Sequence, residues 1–193
     1  YKVGVNEPIY KTSKLDFTET VRESRSLTFD ILSDVMLDFP ILLNGVYQFY
    51  ATFNGEIYLL YNQPTLSKTT DKLKYKYTTT LENCYRDIEN IYMKDFLMGN
   101  EYYNATTDFA FNGDLQQLVY RINANLQHQL SGWSIVIQEG YTLPEKTFVI
   151  SFSKQTIASV LKETFYDDNK VDYDVTGKVI TIGVNRTVID NIF

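Results

Sequence analysis

Hydrophobic and polar residues alternate with a period of two early in the chain. Leu27, Phe29 and Ile31 interleave with Ser26, Thr28 and Asp30, the pattern of a strand with one buried face. Val46 to Phe53 is β-branched and aromatic, and Glu56 to Tyr61 reads likewise. Between them stands Asn54-Gly55. Both residues tolerate φ > 0, so the pair predicts a hairpin closed by a type I′ turn. Asn44-Gly45 predicts another tight turn upstream, and Pro64 ends the hairpin's second strand. Lys72, Lys74 and Lys76 then alternate with Leu73, Tyr75 and Tyr77. A lysine row of this kind is expected to guard an exposed sheet edge. Leu81, Cys84, Ile88, Ile91 and Phe96 fit a helical stripe and an extended segment alike, so residues 81–98 stay open.

Beyond residue 105 the period changes. Asp108 to Phe111 reads as a short strand, and Asp114 stands three residues before Gln117, the spacing of a capping box. Leu115, Leu118, Val119, Ile122, Leu126 and Leu130 follow at helical spacing. Ser131-Gly132 stops the helix, and Trp133 to Gln138 is the next strand. The motif then recurs. Lys146 to Phe152 is a strand, Ser153 the expected N-cap, and Ile157, Val160, Leu161 and Phe165 one helix face. Val171 to Val175 and Lys178 to Gly183 are two strands joined by Thr176-Gly177. One small sheet with both helices on one face would bury both stripes. Gly, Asn and polar residues cluster at Gly99 to Asn104, which sets the division between halves there. The expected fold is α+β and β-rich. An N-terminal antiparallel β-barrel-like domain over residues 1–98 precedes a small α+β domain over 99–193, built from two strand–helix–strand units.

Composition adds three constraints. The 193 residues carry a net charge of −6, which argues against a nucleic-acid partner because phosphate binding wants a basic footprint. No run approaches the ~18 uncharged apolar residues of a membrane span, and no charged region followed by an apolar one marks a signal peptide. Aromatic residues reach 15%, with tyrosine dominant. Tyrosine favours strands and also protein interfaces, being an apolar body with a polar tip.

Reactive chemistry is sparse. His128 is the single histidine, on the polar side of its helix, and cannot supply a two-histidine metal site. Cys84 is the single cysteine and reads as a small buried residue, so no internal disulfide forms. Asp167 to Asp174 is acidic, but a calcium loop begun at Asp168 would place Tyr173 where glycine is needed and Val179 where glutamate is needed. Asn104-Ala105-Thr106 and Asn185-Arg186-Thr187 match the glycosylation triplet. No phosphate loop, dinucleotide fingerprint or nucleophile elbow occurs. No catalytic, cofactor-binding or metal residue is therefore assigned, and no cofactor is expected. Paired carboxylates of the glycosidase kind are a spatial matter and nothing promotes one pair.

Three stretches together resemble the N-terminal region of bacteriophage tail hub proteins, the tail-associated or baseplate hub family. These are Phe17 to Asp30 leading into the Val46–Tyr61 hairpin, Phe109 to Trp133, and Phe148 to Gly183. The resemblance implies a structural virion component in place of an enzyme. It implies a homotrimer that joins the tail tube to the tail tip, with the tail tube or distal tail protein as partners. It also implies synthesis in the bacterial cytoplasm and residence in the virion tail. A second resemblance covers residues 146–183 alone. Their strand, short helix and hairpin ending in Val179-Ile180-Thr181-Ile182 are similar to the small N-terminal domain of secretins and TonB-dependent receptors. That family implies a periplasmic envelope binding module.

Overall fold

The structure is a computed structural model, and it describes residues 12–19, 22–33, 36–39, 42–43, 46–47, 49–68, 75–96 and 105–184. The chain divides into two compact units, Tyr1–Arg86 and Asp87–Phe193.

The first unit is an antiparallel sheet. Its strands are β1 (Thr12–Thr18), β2 (Ser26–Ser33), β3 (Leu42–Leu43), β4 (Val46–Tyr47), β5 (Tyr50–Phe53), β6 (Glu56–Leu59), β7 (Thr65–Lys68) and β8 (Tyr75–Asn83). The order is β1-β2-β8-β6-β5, with β7 also on β8, while β3 and β4 pair separately. Phe17 on β1 and Phe53 on β5 stand at opposite ends of that order, yet their ring centroids lie 5.2 Å apart. The sheet must therefore curl into a half-barrel. Leu27, Ile31, Tyr58, Leu60, Tyr77 and Leu81 fill its interior. Phe39 joins them, with Tyr77 5.0 Å and Phe49 5.3 Å away between centroids.

The Asn54-Gly55 hairpin forms as its sequence predicts. Phe53 pairs with Glu56, and Asn54 and Gly55 take φ of 49° and 80°. Leu43 pairs with Val46, although Asn44-Gly45 between them lies outside the described residues. The lysine row needs correction. Lys72 and Lys74 lie outside the described residues, and Lys76 sits on a central strand, flanked by β2 and β7. Its ammonium meets Asp30 at 2.7 Å. Alternation placed Lys76 on a face correctly, but it carries no information on whether a strand is central or at an edge.

Residues 81–96 finish β8 and then form a short helix α1 (Tyr85–Asn90). An extended segment follows and is stitched to later residues. Tyr92 bridges Thr156, Met93 N–H donates to the Gln155 carbonyl, and Asp95 N–H to the Thr106 carbonyl. The division expected from composition, at Gly99 to Asn104, lies outside the described residues.

The second unit contains both strand–helix–strand motifs. The first is β9 (Asp108–Gly113), α2 (Leu115–Gln129) and β10 (Ser134–Ile137). The second is β11 (Phe148–Ser153), then α3 (Ile157–Val160) running into a π-helical stretch Leu161–Asp168, then β12 (Tyr173–Thr176) and β13 (Val179–Ile182). The single sheet expected from sequence is not what forms. The opening strands pair with each other, β9 with β11, while β10, β13 and β12 make a separate sheet. Side-chain kind explains the sorting. Phe109 stacks directly on Phe152 at 4.6 Å, and Phe111 meets Phe148 diagonally at 5.9 Å. Across β10 and β13, Ile135 opposes Ile180 and Ile137 opposes Ile182. Cross-strand pairs of matched kind stabilise a ladder, so aromatic strands choose each other and β-branched strands do likewise.

Helix α2 begins with the predicted capping box. Asp114 Oδ1 accepts from Gln117 N–H at 2.8 Å, and Gln117 Oε1 accepts from Asp114 N–H at 3.1 Å. Gly113 precedes it because a Cβ there would overlap the Gln117 carboxamide. The second helix starts later than expected. Ser153 ends β11 and its hydroxyl donates to Asp108, whereas Thr156 Oγ1 caps α3 by accepting from Ser159 N–H at 3.2 Å.

Candidate functional site

The residues nominated by sequence scatter. His128 is exposed and its imidazole stacks on Phe96, centroids 4.6 Å apart. Cys84 is buried. In the acidic loop the polar groups serve local turns. Asp172 Oδ1 accepts from Tyr173 N–H, Asp174 Oδ2 from Thr176 Oγ1, and Lys170 Nζ donates to the Asp167 carbonyl. Among the described residues no three His, Cys, Asp or Glu side chains are placed to hold a metal ion. None of their helices is long and apolar enough to cross a membrane. Asn104 and Asn185 lie outside the described residues.

Two features that sequence reasoning missed are better built. The first is a polar cluster in the curled sheet, centred on Glu56. That residue follows the Asn54-Gly55 turn at once, so the hairpin fixes its position. Its carboxylate accepts from Tyr58 Oη at 2.9 Å, from Asn83 Nδ2 at 3.0 Å and from Arg25 Nη1 at 3.4 Å. Arg25 Nε also meets Glu19 at 2.8 Å. Asn83 Oδ1 accepts from Arg25 N–H, and Arg25 C=O accepts from Asn83 N–H. Tyr58 is 1% exposed. Burial, then the hydrogen bond to Glu56 and its negative charge, holds the phenol pKa well above its ordinary value. A carboxylate this fully donated to is an anchor joining β6, β8 and the residue ahead of β2.

The second is a groove of about 590 Å³ in the second unit, over the outer face of α2. Tyr120, Arg121, Ala124 and Gln127 line it from the helix, Phe111 and Asn112 from β9, and Phe96 from the extended segment. Arg121 lies over the rings of Phe109 and Phe111, 5.7 and 5.9 Å from their centroids, and pairs with Asp95. The 92–96 segment is held by amides. Asn125 is fully buried within the apolar stripe of α2. Its Oδ1 accepts from Lys94 N–H and its Nδ2 donates to the carbonyls of Lys94 and Arg121. One turn on, Gln129 Nε2 donates to the Tyr92 carbonyl.

Apolar side chains also face outward. Leu15 on β1, Ile57 on β6 and Leu66 on β7 are each 41% or more exposed. Among the described residues β1 ends its strand order, a position that single-chain proteins usually protect with charge.

No protein-family model matches the sequence, and no curated protein matches it. Among solved structures, the chain is similar to the prophage tail protein gp18 from Listeria monocytogenes EGD-e, with a TM-score of 0.53 and 13% identity. The match covers 88% of this chain and 45% of that one, so this chain spans less than half of that protein's length. At that identity the likeness is one of fold.

Proposed function

We propose that the chain is a structural component of a phage or prophage tail, and more narrowly a hub or baseplate subunit joining the tail tube to the tail tip. The supporting observation is the fold likeness to a prophage tail protein, which covers 88% of the chain and so takes in residues of both compact units. In this reading the chain is no enzyme. It works by self-assembly as a homotrimer and by docking to the tail tube or distal tail protein. It is made in the bacterial cytoplasm and ends in the virion tail. The outward apolar residues of the curled sheet are the kind of surface that assembly covers. Obligate interfaces commonly bury more than about 2,000 Å².

The other reading, a periplasmic envelope binding module, draws on the β11, α3 and β12–β13 succession. Solution mass by light scattering separates the two. A stable species of three times 22.5 kDa across a wide concentration range is the expected result. A monomer at every concentration, together with absence of the protein from purified tail particles by mass spectrometry, would overturn the tail reading.

A further inference from the structure

We infer that the groove on α2 binds a neutral oligosaccharide. The inference stands on the groove's own chemistry and not on the tail reading. The helix face that lines it carries Gln117, Tyr120, Arg121, Ala124 and Gln127, residues three to four apart along α2 and distinct from its buried stripe. Ala124 is small and leaves the depression between its longer neighbours. Tyr120 is 65% exposed, a large flat ring turned to solvent. Phe96 also lines the groove and is fixed by its stack on His128. Aromatic faces are electron-rich, and the polarised C–H face of a sugar ring is their natural complement.

The polar lining decides the ligand class further. Asn112, Gln117, Asn123 and Gln127 all reach the groove. A carboxamide offers both donors and an acceptor, as a sugar hydroxyl does. Gln117 Oε1 is committed to the capping box, so of its carboxamide the NH₂ is the part that remains to donate to a ligand. Among the described residues Arg121 is the one charged residue that lines it, and Asp95 neutralises it. An anionic ligand would have to break that pair, so the site favours an uncharged one. Size points the same way. About 590 Å³ falls within the roughly 300–1,000 Å³ of small-ligand sites.

The test is calorimetric titration of the intact chain with tetra-N-acetylchitotetraose and with cellotetraose. A sulfated heparin tetrasaccharide is the charged comparison, and an extended polypeptide is represented by a decaproline. At least one neutral tetrasaccharide is expected to bind below about 1 mM, with Tyr120→Ala weakening it about tenfold or more and Tyr120→Phe preserving it. Gln127→Ala is expected to weaken it as well, whereas Val136→Ala, an exposed position on β10 outside the groove, leaves it unchanged. Far-UV circular dichroism checks that each variant folds, which the exposure of Tyr120 favours. Absence of binding by both neutral sugars up to about 10 mM would overturn the inference. So would binding that Tyr120→Ala leaves intact, or binding of the heparin fragment or decaproline in place of a neutral sugar.

Discussion

Glu56 and Tyr58 show how a single polar pair is afforded inside a curled sheet. A half-buried carboxylate is held in place by the donors around it, and Tyr58, Asn83 and Arg25 supply them. The phenol, in turn, is held neutral by burial and by the carboxylate beside it. A group whose folded pKa lies above its unfolded value adds stability that is complete below the unfolded pKa and is lost as pH rises through the folded one. For tyrosine the unfolded value is about 10. The expected outcome is that Tyr58→Phe destabilises the protein at pH 7 by about 1.5–3 kcal/mol, the range for a hydrogen bond to a charged group. That gap between wild type and variant should shrink as pH rises past about 10. Urea denaturation at a series of pH values reads it directly, and a gap independent of pH would refute the assignment. Nothing in the period-two pattern flagged this pair. The available signal was a glutamate placed at once after an Asn-Gly turn in an otherwise apolar run. Asn125 was missed for the same reason, being one polar residue within an apolar helical stripe.

Helix α2 was readable in full because each of its signals is local. The stripe, the Asp114–Gln117 box and the Gly132 stop all lie within a few turns of one another, and each reports backbone geometry that its own residues impose. Replacing Asp114 with alanine removes the acceptor for Gln117 N–H and should cost about 1 kcal/mol, within the usual 0.5–2 range for an N-cap. Asp114→Asn should restore most of the loss, as measured by chemical denaturation. An equal loss in both variants would show that Asp114 acts through its charge at the helix end and not as a cap. The Asn54-Gly55 hairpin was readable on the same local grounds. Strand pairing was not. Period two tells which residues share a face, but not which strand lies alongside. That β9 takes β11 as its partner depends on Phe109 meeting Phe152 across more than forty residues of sequence, and that Lys76 is central depends on where β7 returns. The start of α3 was misplaced by three residues, from Ser153 to Thr156, because both are acceptable caps and only the end of β11 chooses between them. The groove lay beyond sequence reading too. Its lining comes from a helix, a strand and an extended segment, and each contributes residues that are unremarkable alone.

Each compact unit owns a core. The cluster of the curled sheet runs from Leu27 to Leu81, and the buried residues of the second unit run from Ile88 to Ile182. The single tryptophan, Trp133, is 4% exposed and belongs to the second, so its fluorescence reports that core alone. Leu27 is 1% exposed, and its replacement by alanine should cost the first core about 2–5 kcal/mol through lost burial and an unfilled cavity. If the two cores unfold as separate cooperative units, Leu27→Ala moves an early phase of the far-UV circular dichroism transition and leaves the Trp133 midpoint in place. We expect that result, because the packing that Leu27 supports is drawn entirely from residues before Arg86. A Trp133 midpoint that falls together with the circular dichroism signal would show the opposite, that loss of the first core brings down the second. The distinction bears on assembly. If the chain assembles through its curled sheet as proposed, separate cores would let a load on that interface leave the second unit folded.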